Sequence, residues 1–456
     1  MTNITTKQAV LFKGLSKKLL VGQFDQAHAS SDGGAILLKA CDERLKLSET
    51  LSACLQDDRQ QSKVMHSLQE LFQQRMFSIA CGYADTNDAA RLSCDPVFKM
   101  LSGRDAVEGN DLASQPTLSR FENGVRRADL LRMSAALADT VIQRHKRRKK
   151  TAKLITIDLD PTDDPTHGTQ QLSLFSRFYD CRCYLPLAGF LTFDREVEQY
   201  LFCYLLRPGN ATAKLGCIGM LKRLLPGLRR AFPKARIRIR LDAGFTGPEL
   251  YDFFEAEGLE YVVSMAKNSV LLGLAETAME IVRQDADNEL ESICYDDAMY
   301  AAHTWPYERR VIIKGQITYH DGRRPKENPR FVVTNLKGSA QHIYEKIYCA
   351  RGDAENRIKE LKYGLEIDRT SCSSFLANQL RVLITAAAYV LFQELRIHAR
   401  HTRCARAQVT TLRLYLLKLG AWIESSVRRT VLHLPANTPY ADDWLRIARS
   451  VGAVPT

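Results

Sequence analysis

The hydrophobic period changes near residue 150, and that change constrains the chain more than any other feature. Between residues 33 and 150 the text is helical in character, with few β-branched runs and breaks at Gly82, Gly103, Gly109, Pro116 and Gly124. After it, LITIDLD (154–160), CYLPLAGFLTF (183–193) and EQYLFCYLL (198–206) read as strands, the last two forming a hairpin around Asp194–Val197. Leu215, Ile218, Leu221, Leu224, Leu225 and Leu228 then recur at helical spacing. RIRIRLDAGF is a further strand, PELYDFFEAEG a short helix and EYVVSMA another strand. The order β, β, β, α, β, α, β requires a mixed sheet with helices against it.

The remaining organisation follows from local composition. Residues 1–25 have no clear period and read as a loosely held arm. RHKRRKKTAK (144–153) closes the first region, either as a solvated linker or as a phosphate grip. Residues 271–346 read as a β-rich insertion with strands around a DGRR turn (321–324). The last 60 residues are arginine-rich and read as helical. The expected division is 1–150 helical, 151–270 first part of the sheet core, 271–346 insertion, 347–400 the remainder of the core, and 401–456 a basic C-terminal region.

Lys plus Arg number 64 against 52 Asp plus Glu, a net charge of +12, so a polyanionic partner is expected. Twelve cysteines occur without a CxxC pair, which excludes zinc-ribbon patterns and reads as thiols of a reducing compartment. The longest apolar run, VLITAAAYVLF, is too short to span a bilayer and no signal-peptide pattern opens the chain. A cytoplasmic protein without membrane association is expected.

Two strands end in acids. The first closes Asp158-Leu159-Asp160, the second Leu241-Asp242, and residues two apart on a strand share a face. In YCARGDAENRIKELKYG, Tyr348, Arg351, Glu355 and Lys362 fall within roughly a 60° arc if the segment is one α-helix, with Ala354, Ile358, Leu361 and Leu365 on a neighbouring apolar arc. Three carboxylates brought together from two strand ends and a helix suit two Mg²⁺ about 3.5–4 Å apart for in-line phosphoryl displacement. Arg351 and Lys362 then fit as phosphate grips.

The ordered set LDPTDDPTHGTQQ, YLPLAGF, LRPGN, RLDAGF, NPRFVVTNL and RGDAENRIKELK, spread over residues 30–400, resembles the DDE transposases of bacterial insertion sequences, in the subgroup with a Tyr-Arg-Glu-Lys signature. The resemblance implies an α/β fold with an RNase H-like mixed sheet, flanking helices, a β-rich insertion and helical N- and C-terminal regions. It implies Asp160, Asp242 and Glu355 as catalytic and metal-holding acids, with Thr162 favouring Asp160 over the alternative first acid Asp158. Two Mg²⁺ ions, replaceable by Mn²⁺, would serve cleavage and strand transfer at the terminal inverted repeats. Tyr348, Arg351, Lys359 and Lys362 would contact DNA, and Trp305 either stacks on a base or sits in the core. The implied partners are transposon ends and target DNA bound by a homodimer at the nucleoid, with no small-molecule substrate. The rival readings are a metal nuclease that never joins ends and an inactive DNA-binding protein.

Four further features stay open in the sequence. His167 either assists near the metals or caps a loop. Arg236, Arg238 and Arg240 share a strand face that either DNA or acidic groups cover. Asn268 closes a turn. SQPTLSRFENGV is either a bundle helix or one that enters a DNA groove.

Overall fold

The computed structural model describes residues 9–287, 292–319 and 325–455; the DGRR turn lies outside them. Helices α1 (Leu68–Ala80) and α2 (Arg127–Arg148) precede the sheet segments β1 (Leu154–Pro161), β2 (Leu187–Phe193), β3 (Tyr200–Leu205), helix α3 (Cys217–Ala231), β4 (Arg236–Leu241), helix α4 (Pro248–Ala256) and β5 (Glu260–Met265). Strands β6 (Ile293–Tyr300), β7 (Arg309–Thr318) and β8 (Arg330–Thr334) follow, then α5 (Gly352–Leu365) and α6 (Phe375–Ala399). The strand order is β6-β7-β8-β5-β4-β1-β2-β3. Parallel pairing joins β1 to β4 and β4 to β5, while all other neighbours are antiparallel. The α/β fold is therefore a large mixed sheet with flanking helices, as in an RNase H-like core, and the strands of the insertion continue that sheet beyond β5.

Alternation set the strands correctly because Ile155, Ile157 and Leu159 of β1 and Ile237, Ile239 and Leu241 of β4 are buried in the core. The expected strand 183–193 is divided: Cys181–Tyr184 turns into a small separate sheet, and β2 starts after Pro186, which has no N–H for the ladder. Edge strand β3 is blunted by α6. Gln379 accepts the Leu206 N–H at 2.7 Å, and Gln393 accepts that of Leu201 at 3.1 Å.

Helix α6 contains the apolar run noted above and is long and apolar enough to cross a membrane, but 89 % of its most apolar window is buried inside the protein. It packs on α1, α2 and β3, as a core helix does.

Several expectations are corrected. The start of RHKRRKKTAK is no solvated linker: it forms the last turns of α2, where His145 stacks on Phe193 at 3.7 Å and buried Arg144 lies 4.6 Å over Tyr200. The C-terminal region is not helical throughout, because β9 (Ala421–Ser426) and β10 (Arg429–His433) form a hairpin that also pairs with Ala29–Ser30. Part of the N-terminal arm is ordered too, with Val10–Phe12 paired to Leu20–Gly22. SQPTLSRFENGV yields a helix, Gln115–Asn123, that buries Leu118 and Phe121 and sets Glu122 in a buried ion pair with Arg75 at 2.7 Å. Asn268 caps Ser269–Leu274 by accepting the Leu271 N–H.

Candidate active site

β1 carries Asp158 and Asp160 on one face, and the parallel register places Arg240 of β4 opposite Asp158. That register decides their environments. Asp158 is fully buried and takes a bidentate pair from Arg240, at 2.7 and 2.6 Å, plus a hydrogen bond from Gln199 at 3.0 Å. Asp160, one pleat repeat further, reaches a cleft of about 890 Å³ that Asp242 and Glu355 also line. Asp242 follows the end of β4, and its Oδ1 accepts the Gly244 N–H at 2.9 Å. Glu355 stands in the first turn of α5, half exposed.

The helical stripe is present but is not one ideal α-helix. Ile343–Tyr348 is wound as a π-helix and Cys349–Arg351 as a 3₁₀ turn before α5 begins at Gly352; wide turns of this kind are frequent at functional sites. Tyr348, Arg351, Lys359 and Lys362 nonetheless all line the cleft with the three acids. Ala354, Ile358, Leu361 and Leu365 are buried on the adjoining side, which is what fixes the helix's rotation over the sheet.

The electrostatics tie these groups together. Burial pushes the Asp160 carboxyl up to about 7, with Arg351 opposing and the charges of Asp242 and Glu355 adding to the rise. Burial also raises Asp242, against Arg351 and with Glu355. Arg351 lies 3.2 Å from Asp160 and 3.4 Å from Glu355, while Lys362 pairs with Asp163 at 2.7 Å. Among the described residues no three acid, histidine or cysteine side chains are arranged to hold a metal. The guanidinium of Arg351 stands between two of the acids as their cation. Carboxylate oxygens are the donor type a hard divalent ion takes, and here the one guanidinium of Arg351 supplies the positive charge beside them.

Other residues fall elsewhere. Trp305 is not at the cleft: it is 8 % exposed and packs edge-on against Tyr251 and Tyr300 at 5.2 and 5.5 Å, because the aromatic core between β6 and α4 takes its ring. His167 is exposed in its loop. Arg236 and Arg238 both pair with Glu260, and Arg240 with Asp158, so acids of the neighbouring strands neutralise that face. Phe178, 84 % exposed, and Tyr179 line the cleft and were missed by the sequence reading. Their only sequence signal is an aromatic pair within a polar loop.

No curated protein matches the chain. The family profile described as Transposase DDE domain group 1 matches residues 12–455, nearly its whole length. With acids from β1, β4 and α5 on one cleft of a mixed sheet, and that match from end to end, the chain belongs to the DDE-domain transposases of group 1.

Proposed function

We propose that this transposase binds the terminal inverted repeats of a bacterial insertion sequence, cuts DNA at its ends and joins the freed 3′ ends to a target duplex. Asp160, Asp242 and Glu355 are the acids that would hold two Mg²⁺, or Mn²⁺ in their place, and such ions would supply activation of the attacking oxygen and stabilisation of the leaving one. The observation that carries this reading is geometric: Asp160, Asp242 and Glu355 line one cleft, where burial, with smaller contributions from the two other acids and against Arg351, lifts Asp160 to about 7.

The chain's own cations explain how DNA and carboxylates share the site. Arg351 and Lys362 are held by Asp160, Glu355 and Asp163. A phosphate competes for both: Arg351 offers it a bidentate fork and Lys362 a point charge. Tyr348 and Lys359 complete the DNA-facing side, in keeping with the Tyr-Arg-Glu-Lys subgroup. Residues 1–150 serve end recognition, two protomers act on paired ends, and the reaction takes place on nucleoid DNA in the cytoplasm.

The test is a strand-transfer assay on DNA with the correct ends, comparing wild type with Asp242→Ala and Glu355→Ala. Both variants should lose cutting and joining while retaining end binding. Mn²⁺ should raise the melting temperature of wild type and not of the variants. Cutting without joining in the wild type would make the protein a nuclease; end binding without cutting in Mg²⁺ or Mn²⁺ would make it an inactive DNA-binding protein.

A further inference from the structure

A second cleft lies on the same sheet face, on the other side of the helical run that carries Arg351 and Glu355. Thr156, Arg236 and Arg238 line it from the sheet, and Lys346 and Ala350 from the helical run. It encloses about 1030 Å³ and shares Arg236, Arg238 and His342 with an adjoining hollow of about 620 Å³. The Asp158–Arg240 pair stands between the two clefts, with Arg240 also donating to the Ile347 carbonyl at 3.1 Å. Thr156 and Asp160 are four residue steps apart along β1, about 13 Å at about 3.3 Å per step.

Its acids are nearly all engaged by the protein. Asp194 accepts the backbone N–H groups of Lys153 and Leu154 at 2.8 and 3.1 Å. Glu196 pairs with His145 and Lys149 at 3.1 and 2.9 Å, while Glu260, in the adjoining hollow, pairs with Arg236 and Arg238 at 2.6 Å. Lys153, Arg195 and Lys346 are exposed lining residues, and among the described residues none has a carboxylate partner. The remaining lining acid, Asp353, is a single charge against three. Those cations come from the start of β1, the β2–β3 turn and the helical run, so they are spread along the trough rather than gathered on one point. That spacing suits a line of phosphates better than a small anion.

We propose that this cleft binds the backbone of a second DNA duplex, separate from the one whose strand enters the catalytic cleft; the proposal rests on the reading of that cleft as a DNA site. The experiment uses the full chain and its Lys153→Gln/Arg195→Gln/Lys346→Gln variant, with binding of a labelled duplex of unrelated sequence followed by fluorescence anisotropy over a salt series. Loss of three phosphate contacts should make the slope of log K against log salt shallower by about 2.7, at about 0.9 per contact. Strand transfer should fall at least tenfold while cutting at the ends is retained. Each single variant should show about a third of the slope change, which keeps the test decisive if the triple variant folds poorly. An unchanged slope in the singles and the triple, with wild type cutting and joining normally, overturns the second cleft alone. A shallower slope in a protein whose wild type neither cuts nor joins sustains the cleft and removes the catalytic reading.

Discussion

Asp158 and Asp160 leave one strand on one face, yet opposite costs follow from their removal. Asp158 is the counter-charge of a buried arginine, so Asp158→Ala leaves Arg240 without its carboxylate and should cost about 3–5 kcal/mol. Asp160 is a carboxyl whose ionisation the fold resists. With its value raised from 3.8 to about 7, the folded chain binds more protons than the unfolded chain between those values. Stability from this group is therefore full below about pH 4 and falls as pH rises toward 7. Asp160→Asn should raise the melting temperature at pH 8, each pH unit of displacement being worth about 1.4 kcal/mol, and the gain should disappear below pH 4. Melting curves of both variants across pH decide the matter: stabilisation by Asp158→Ala, or none by Asp160→Asn, would reverse the assignment. The sequence placed both acids on one face but left the choice between them open, because Arg240 becomes a partner of Asp158 only through the β1–β4 register.

At the scale of the element, α5 is set over the acids from behind. Glu360, 5 % exposed, accepts from Arg396 at 2.5 Å, Tyr389 at 2.7 Å, the Val409 N–H at 2.9 Å and Arg357 at 3.2 Å. These bonds tie the helix to α6 and to the helix beginning at Val409, while its apolar arc fixes the rotation. The arc was legible in the sequence, since helical spacing is local. Glu360 was not, since apart from Arg357 its partners come from 29 to 49 positions away and a polar residue on a helix reads as solvent-facing. The β9–β10 hairpin was missed for a related reason: its arginines outweighed the alternation of Ala421 and Ile423. Glu360→Ala leaves Arg396 with Glu198, at 3.0 Å, as its remaining carboxylate and should lower the free energy of unfolding by about 3–5 kcal/mol. It should also reduce end cleavage, with Glu360→Gln restoring much of both. A denaturant midpoint within error of wild type for Glu360→Ala would show that α5 is positioned by its apolar arc alone.

At the scale of the molecule, one hydrophobic core runs from Ala35 to Val451 and joins the N-terminal helices to the sheet through α6. The basic run at 144–153 drew attention to position 150 because like charges in sequence resemble a linker. In the fold those charges meet acids distant in sequence: His145 meets Glu196, and Arg144 lies 3.9 Å from Glu394. Long-range pairing of this sort leaves no periodic trace. Removing residues 1–150 would strip Leu71, Phe72, Met76 and Phe77, all buried, from the face of α6. At about 1.5–3 kcal/mol for each large apolar side chain, those four alone account for about 6–12 kcal/mol, comparable to the 5–15 kcal/mol typical of a whole domain. The fragment 151–456 should therefore be insoluble or melt without cooperativity, whereas the full chain should show one calorimetric transition. A sharp, reversible transition in the fragment would mean that the sheet holds α6 without the N-terminal helices, and end recognition by residues 1–150 would then be free to move independently of the cleft. If the fragment fails to fold, whatever those helices bind is coupled to the three acids through α6, because no rearrangement of one side leaves the shared core unchanged.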